Sequence, residues 1–109
     1  MHVELNTDKN IPGDERLLEY TEGAIKGALA RFEDRITRVT AHFADENSSE
    51  KRSPDDKRCT LEARLAGLQP MAATHFAPTV REALAGALQK LDSAITSVVE
   101  REQDKRRGA

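Results

Sequence analysis

Val80, Leu84, Ala87, Leu88, Leu91, Ile95 and Val98 recur at three- and four-residue steps. That spacing draws one apolar stripe along a helix running through about residue 102. Pro78-Thr79 opens it. Thr79 with Glu82 three residues later fits a capping box, in which the hydroxyl accepts a hydrogen bond from a first-turn N–H. A helix this long with a single apolar side is not stable alone in water. It needs an apolar face as partner, and the rest of the chain must supply one.

A second stripe lies upstream. Leu17, Thr21, Ala24, Ile25, Ala28 and Phe32 keep the same period and predict a helix over about residues 14–33. Asp14, just after the break at Pro12-Gly13, fits an N-cap, because a short carboxylate accepts from free helix-end N–H groups. Gly23 and Gly27 sit inside this helix. Each either weakens it by ~1 kcal/mol against alanine or marks the close approach of another backbone.

Elsewhere the period falls to two. Val3 and Leu5 alternate with polar neighbours and predict a short first strand. Val39, Ala41 and Phe43 alternate with Arg38, Thr40 and His42 in a second strand over residues 36–45. Cys59, Leu61, Ala63 and Leu65 alternate with Thr60, Glu62 and Arg64 in a third. After a turn at Gly67-Leu68-Gln69-Pro70, Met71 and Ala73 begin a fourth that ends near Phe76. The polar stretch Asn47 to Lys57 has no apolar period and reads as a loop.

The order is therefore β-α-β-β-β-α, an α+β fold. No strand is a continuous apolar run, so the four-stranded sheet is expected to be buried on one face, with both helices packed there. The first two strands, joined through a helix, are expected to be parallel, and the others to pair as antiparallel hairpins. Arg38, Thr40, His42, Thr60, Glu62 and Arg64 then face solvent. A chain of 109 residues makes one domain, here residues 1–102, followed by a basic tail over 103–109 that is expected to fray.

Motifs for catalysis are missing. HExxH, CxxC, GxSxG and a glycine-rich phosphate loop do not occur. No enzyme, cofactor, metal or small-molecule substrate is expected. His42 is read as an exposed strand residue, His75 as a rim residue, and His2 lies near a terminus, so nothing makes the three converge. Cys59 shares the phase of Leu61, which predicts a buried, inert thiol. As the single cysteine it also excludes an intramolecular disulfide framework. Asp45 and Glu46 with Glu50, Asp55 and Asp56 lack EF-hand spacing and read as a solvated acidic loop. No apolar run approaches the ~18–20 residues of a membrane span. Met1-His2-Val3-Glu4 does not look like a signal peptide, so a cytoplasmic protein is expected.

The basic residues are better organised. Lys90, Arg101 and Lys105 stand eleven and four residues apart, close to whole turns, and share one strip if the second helix persists. Lys26, Arg31 and Arg35 lie on and just after the first helix, where they can line a neighbouring surface. Cations in a strip track a phosphate backbone, because each neutralised phosphate releases counterions. The bland alternatives are solvation of an exposed helix face and, for Arg101, Lys105, Arg106 and Arg107, attraction to the negative end of the helix dipole.

Several stretches together resemble a known family. They are Arg35-Ile36-Thr37-Arg38-Val39, His42-Phe43-Ala44-Asp45-Glu46-Asn47 and Lys57-Arg58-Cys59-Thr60-Leu61-Glu62-Ala63-Arg64. Gln69-Pro70, Thr74-His75, Ala83-Leu84 and Gln89-Lys90-Leu91 extend them. The chain resembles the ribosome hibernation promoting factors, which include ribosome-associated inhibitor A, from residue 3 to about 100. The resemblance implies a fold like that of double-stranded-RNA-binding domains. It implies a bacterial protein that binds the small ribosomal subunit and its ribosomal RNA, in the channel of messenger and transfer RNA, and silences translation under stress or in stationary phase. With no second domain after the final helix, the chain is similar to the short type. Lys90 matches the family's Lys-Leu step. Lys26, Arg31, Arg35, Arg101 and Lys105 join it as expected ribosomal RNA contacts by helix-face geometry. Ser93 stands where the family usually has arginine, and Ala24, Gly27 and Ala30 make the first helix poorer in lysine. The alternative is a protein-interaction module of the same fold with weak or lost ribosome binding.

The formal charge of −2 does not oppose an RNA partner on this reading. Asp45, Glu46, Glu50, Asp55 and Asp56 collect between the second and third strands, which predicts a surface polarised toward base on the helices.

Overall fold

The structure is a computed structural model that describes residues 1–46 and 56–107. Along the chain come β1 (His2–Thr7), α1 (Glu15–Ala28), a 3₁₀ turn (Ala30–Phe32), β2 (Ile36–Asp45), β3 (Lys57–Leu65), β4 (Met71–Ala77) and α2 (Val80–Arg107). The strands form one sheet in the order β1-β2-β3-β4. β1 lies parallel to β2, with Val3 beside Val39. The β2–β3 and β3–β4 pairs are antiparallel, with Phe43 beside Cys59 and Leu61 beside Ala73.

The period-two segments are strands because one phase of each is buried. Val39, Ala41 and Phe43 of β2 and Cys59, Leu61, Ala63 and Leu65 of β3 meet Ile25, Leu29, Leu84, Leu88, Leu91 and Ile95 in a single core. Covering a large aliphatic side chain in this way contributes roughly 1.5–3 kcal/mol. Both helices lie on this face, and the opposite face is open.

Asp14 caps α1, its carboxylate accepting from the Leu17 N–H at 2.9 Å. Thr79 caps α2: its hydroxyl accepts from the Glu82 N–H at 3.1 Å and donates to the Glu82 carboxylate at 3.1 Å.

The first helix differs from its expected course. It stops at Ala28 instead of continuing to residue 33, and the Leu29 N–H closes on the Ile25 carbonyl at 3.0 Å. The tighter 3₁₀ turn brings residues three apart onto one side. Leu29 and Phe32 thereby enter the core, and the smaller Ala28 is left exposed. At the other end, α2 passes residue 102 and takes in most of the segment expected to fray. Asn47 to Asp55, Gly108 and Ala109 lie outside the described residues.

Gly23 and Gly27 face open space, with no other backbone near. They are simply weak points of α1. Gly23→Ala is expected to stabilise the protein by about 0.5–1 kcal/mol, measured as a rise in the denaturation midpoint at unchanged slope.

His75 is also placed differently from the rim position expected for it. Its phase of β4 (Met71, Ala73, His75, Ala77) faces α2, and its ring lies directly against Gly86. The helix comes this close because Gly86 has no side chain to hold it off.

Candidate nucleic-acid interface

α2 keeps its helical course through residue 107, so Lys90, Arg101 and Lys105 fall on one flank. Lys90 reaches across to β4, where its Nζ donates to the Thr74 carbonyl at 3.0 Å. That partner is neutral and leaves the ammonium charge uncompensated. Arg101 and Lys105 are exposed, and neither has an acid partner among the described residues.

The other three basic candidates are engaged within the molecule. Lys26 pairs with Glu22, one turn earlier on α1, at 3.8 Å. Arg31 lies over the Phe32 ring, 4.7 Å from its centroid, and donates to Asp92 Oδ1 at 2.8 Å and Thr96 Oγ1 at 2.6 Å. Arg35 donates to Glu102 Oε2 at 2.9 Å, both side chains being half-buried. The two arginines thus fasten the end of α1 and the start of β2 to acids of α2. Charges on the helices are interleaved.

Among the described residues, the acids at the base of the β2–β3 hairpin are paired. Lys57 sits between Asp56 at 2.8 Å and Asp45 at 3.3 Å, and Arg58 meets Glu46 at 2.7 Å. The hydrogen bond to Asp56 raises the Lys57 pKa against the opposing effect of burial, with Asp45 adding to the rise. The described acids of the hairpin are therefore met by cations of the same hairpin. Glu50 and Asp55 lie outside the described residues.

The open sheet face carries a second basic feature that the sequence reading missed. Register places His2, Arg38 and Arg64 in one cross-strand row. Glu4 draws His2 to 3.5 Å and Arg38 to 3.8 Å. Arg64 is exposed and without an acid partner among the described residues. Only the pairing of β1, β2 and β3 unites this row, so linear spacing carries no sign of it. Further along, His42 meets Glu62 at 3.3 Å, and the Thr60 and Thr74 hydroxyls share a hydrogen bond of 2.9 Å. Phe76 is 46% exposed at the β4 edge.

Cys59 is fully buried, in the phase that the alternation predicted. Burial pushes its thiol up to about 12. The neutral thiol is the form the fold retains, so this contribution is whole below the pKa of an exposed thiol, ~8.5, and is lost as pH rises from there toward 12. A thiol reagent at pH 8 is expected to leave the native chain unlabelled and to react at the rate of global opening. Fast stoichiometric labelling without denaturant would contradict the buried placement.

Among the described residues, no three His, Cys, Asp or Glu side chains cluster where a metal ion could sit. Among them, no helix is long and apolar enough to cross a membrane.

No protein-family model matches the chain, and no curated protein matches its sequence. Solved structures do match. A ribosomal subunit interface protein from Coxiella burnetii superposes with a TM-score of 0.69 at 16% identity, over 92% of this chain and 99% of that one. The N-terminal domain of Protein Y from Thermus thermophilus superposes with a TM-score of 0.71 at 13% identity, over 90% of this chain and 99% of that domain. At such identities the likeness is one of fold. The chain has, over nearly its whole length, the β-α-β-β-β-α fold of these two proteins.

Proposed function

We propose that the chain is a non-enzymatic, ribosome-binding regulator of translation in the bacterial cytoplasm. It occupies the RNA-lined channel of the small subunit and silences ribosomes under stress or in stationary phase. The observation that carries this reading is the shared fold, over more than nine-tenths of the chain, with a protein named for the ribosomal subunit interface. Contact is made by shape and phosphate binding, as is general for A-form RNA, whose deep, narrow major groove hides its base edges. Lys90, Arg101 and Lys105 supply the phosphate contacts. Lys26, Arg31 and Arg35 contribute field rather than free donors, because each already has an acid beside it.

Sedimentation of purified ribosomes with the protein at low and high salt tests the reading. The protein is expected with the small subunit at low salt and free at high salt. Its absence from that fraction even at low salt would sink the proposal.

A second reading, a protein-interaction module with weak or lost ribosome binding, is favoured by one observation. The helix charges are interleaved, with Asp92 and Glu102 facing Arg31 and Arg35. Size-exclusion with light scattering separates the two. A strict monomer that co-purifies only with ribosomes excludes the module.

A further inference from the structure

A cavity of about 240 Å³ opens between the β3–β4 turn and the last turns of α2. Leu68, Val98, Arg101, Glu102 and Lys105 line it. Its walls are held in place from both sides. The Leu68 N–H closes a turn on the Leu65 carbonyl at 3.2 Å, with Gly67 in the left-handed region at φ +76°. That is the third position of a type II turn, which glycine occupies without strain. The Ala66 N–H donates to the Arg35 carbonyl at 2.9 Å, and the Arg35 guanidinium binds Glu102 at 2.9 Å. One residue thus ties the turn to the helix. Leu68 and Val98 are its apolar lining residues. Arg101 and Lys105 line it as cations without acid partners among the described residues, and the carboxylate of Glu102 beside them is held by Arg35.

We infer that this cavity takes a single unstacked base of an RNA strand, with the flanking phosphates on Arg101 and Lys105. The inference rests on the ribosome-binding reading and names one contact within it. The cavity is smaller than sites that enclose a drug-sized ligand, roughly 300–1,000 Å³, and suits one planar ring system. A base offers a flat face to Leu68 and Val98, and the guanidinium of Arg101 stacks on the same kind of surface. Bases within an A-form duplex are stacked and out of reach, so the occupant comes from a bulge, a loop or an end. The charges favour RNA over an acidic peptide. Lys90 stands on the same flank, roughly 22 Å from Lys105 by helical rise, a separation that an extended phosphate backbone can span.

Three RNA hairpins test this by fluorescence anisotropy at one fixed salt concentration: an uninterrupted stem, the stem with one bulged adenosine, and the stem with an abasic bulge. The wild-type chain is expected to prefer the adenosine bulge about fivefold over the other two. Leu68→Asp is expected to erase that preference, and its added charge beside Arg101 and Lys105 to weaken the plain stem as well. Lys105→Glu, on an exposed side chain, is expected to weaken all three and serves if Leu68→Asp does not fold. Equal binding of adenosine and abasic bulges by the wild type, or no binding of any hairpin, overturns the inference. So does a preference that survives Leu68→Asp. Ribosome sedimentation run alongside separates the two readings: ribosome binding without bulge preference removes the cavity's role alone. Bulge preference without ribosome binding retains the cavity and removes the ribosome.

Discussion

Replacing Gly86 with alanine is expected to lower the stability of the fold by about 1–3 kcal/mol, although alanine is the better helix former. A methyl group at this position would overlap Cδ2, Cγ and Nε2 of the His75 ring. Either α2 lifts from β4 or His75 leaves its rotamer, and each loosens the packing of the longest helix. Chemical denaturation measures the loss. The pair Gly86→Ala with His75→Ala is expected to recover most of it, because the second change removes the ring that the methyl meets. A stabilised Gly86→Ala protein, like that expected for Gly23→Ala, would show that α2 does not approach β4 so closely.

Reversing Lys90 and Arg101 together to glutamate is expected to weaken ribosome binding by at least about a hundredfold at low salt. It is also expected to reduce the slope of log affinity against log salt by about two. Both side chains are surface groups without acid partners among the described residues, so the loss comes from binding rather than unfolding. Circular dichroism checks that the fold survives. Lys26→Glu is the contrasting change: its partner Glu22 already screens it, and a smaller loss is expected. Co-sedimentation unchanged by the double reversal would mean that another surface, such as the row of His2, Arg38 and Arg64, holds the ribosome.

What could be read from the chain was what local periodicity controls. β2 spans Ile36–Asp45, as its alternation predicted, because one phase of a strand must be buried whatever covers it. The alignment of Lys90, Arg101 and Lys105 follows from helical pitch alone. Features set by tertiary distance were not legible. Arg31 and Arg35 find their acids 61 and 67 residues away, and no spacing rule reaches that far. The turn at Leu29 escaped because the stripe through Ala28 scores nearly as well as the true one, and only core volume prefers leucine. The contact of His75 with Gly86 escaped because a glycine in a helix reads as weakness until a neighbour is seen above it. The cavity beside Leu68 needed both the β3–β4 turn and the far end of α2, which the chain brings together only after folding.

β4 is the last strand of the sheet, and Met71–Ala77 contains no Asp, Glu, Lys or Arg. A neutral outer strand with an exposed Phe76 is a template on which other extended chains can assemble. The ammonium of Lys90 occupies the Thr74 carbonyl in the middle of this strand and places a charge where such growth would begin. One lysine of α2 thus puts a positive charge on an outer strand that has no Asp, Glu, Lys or Arg of its own.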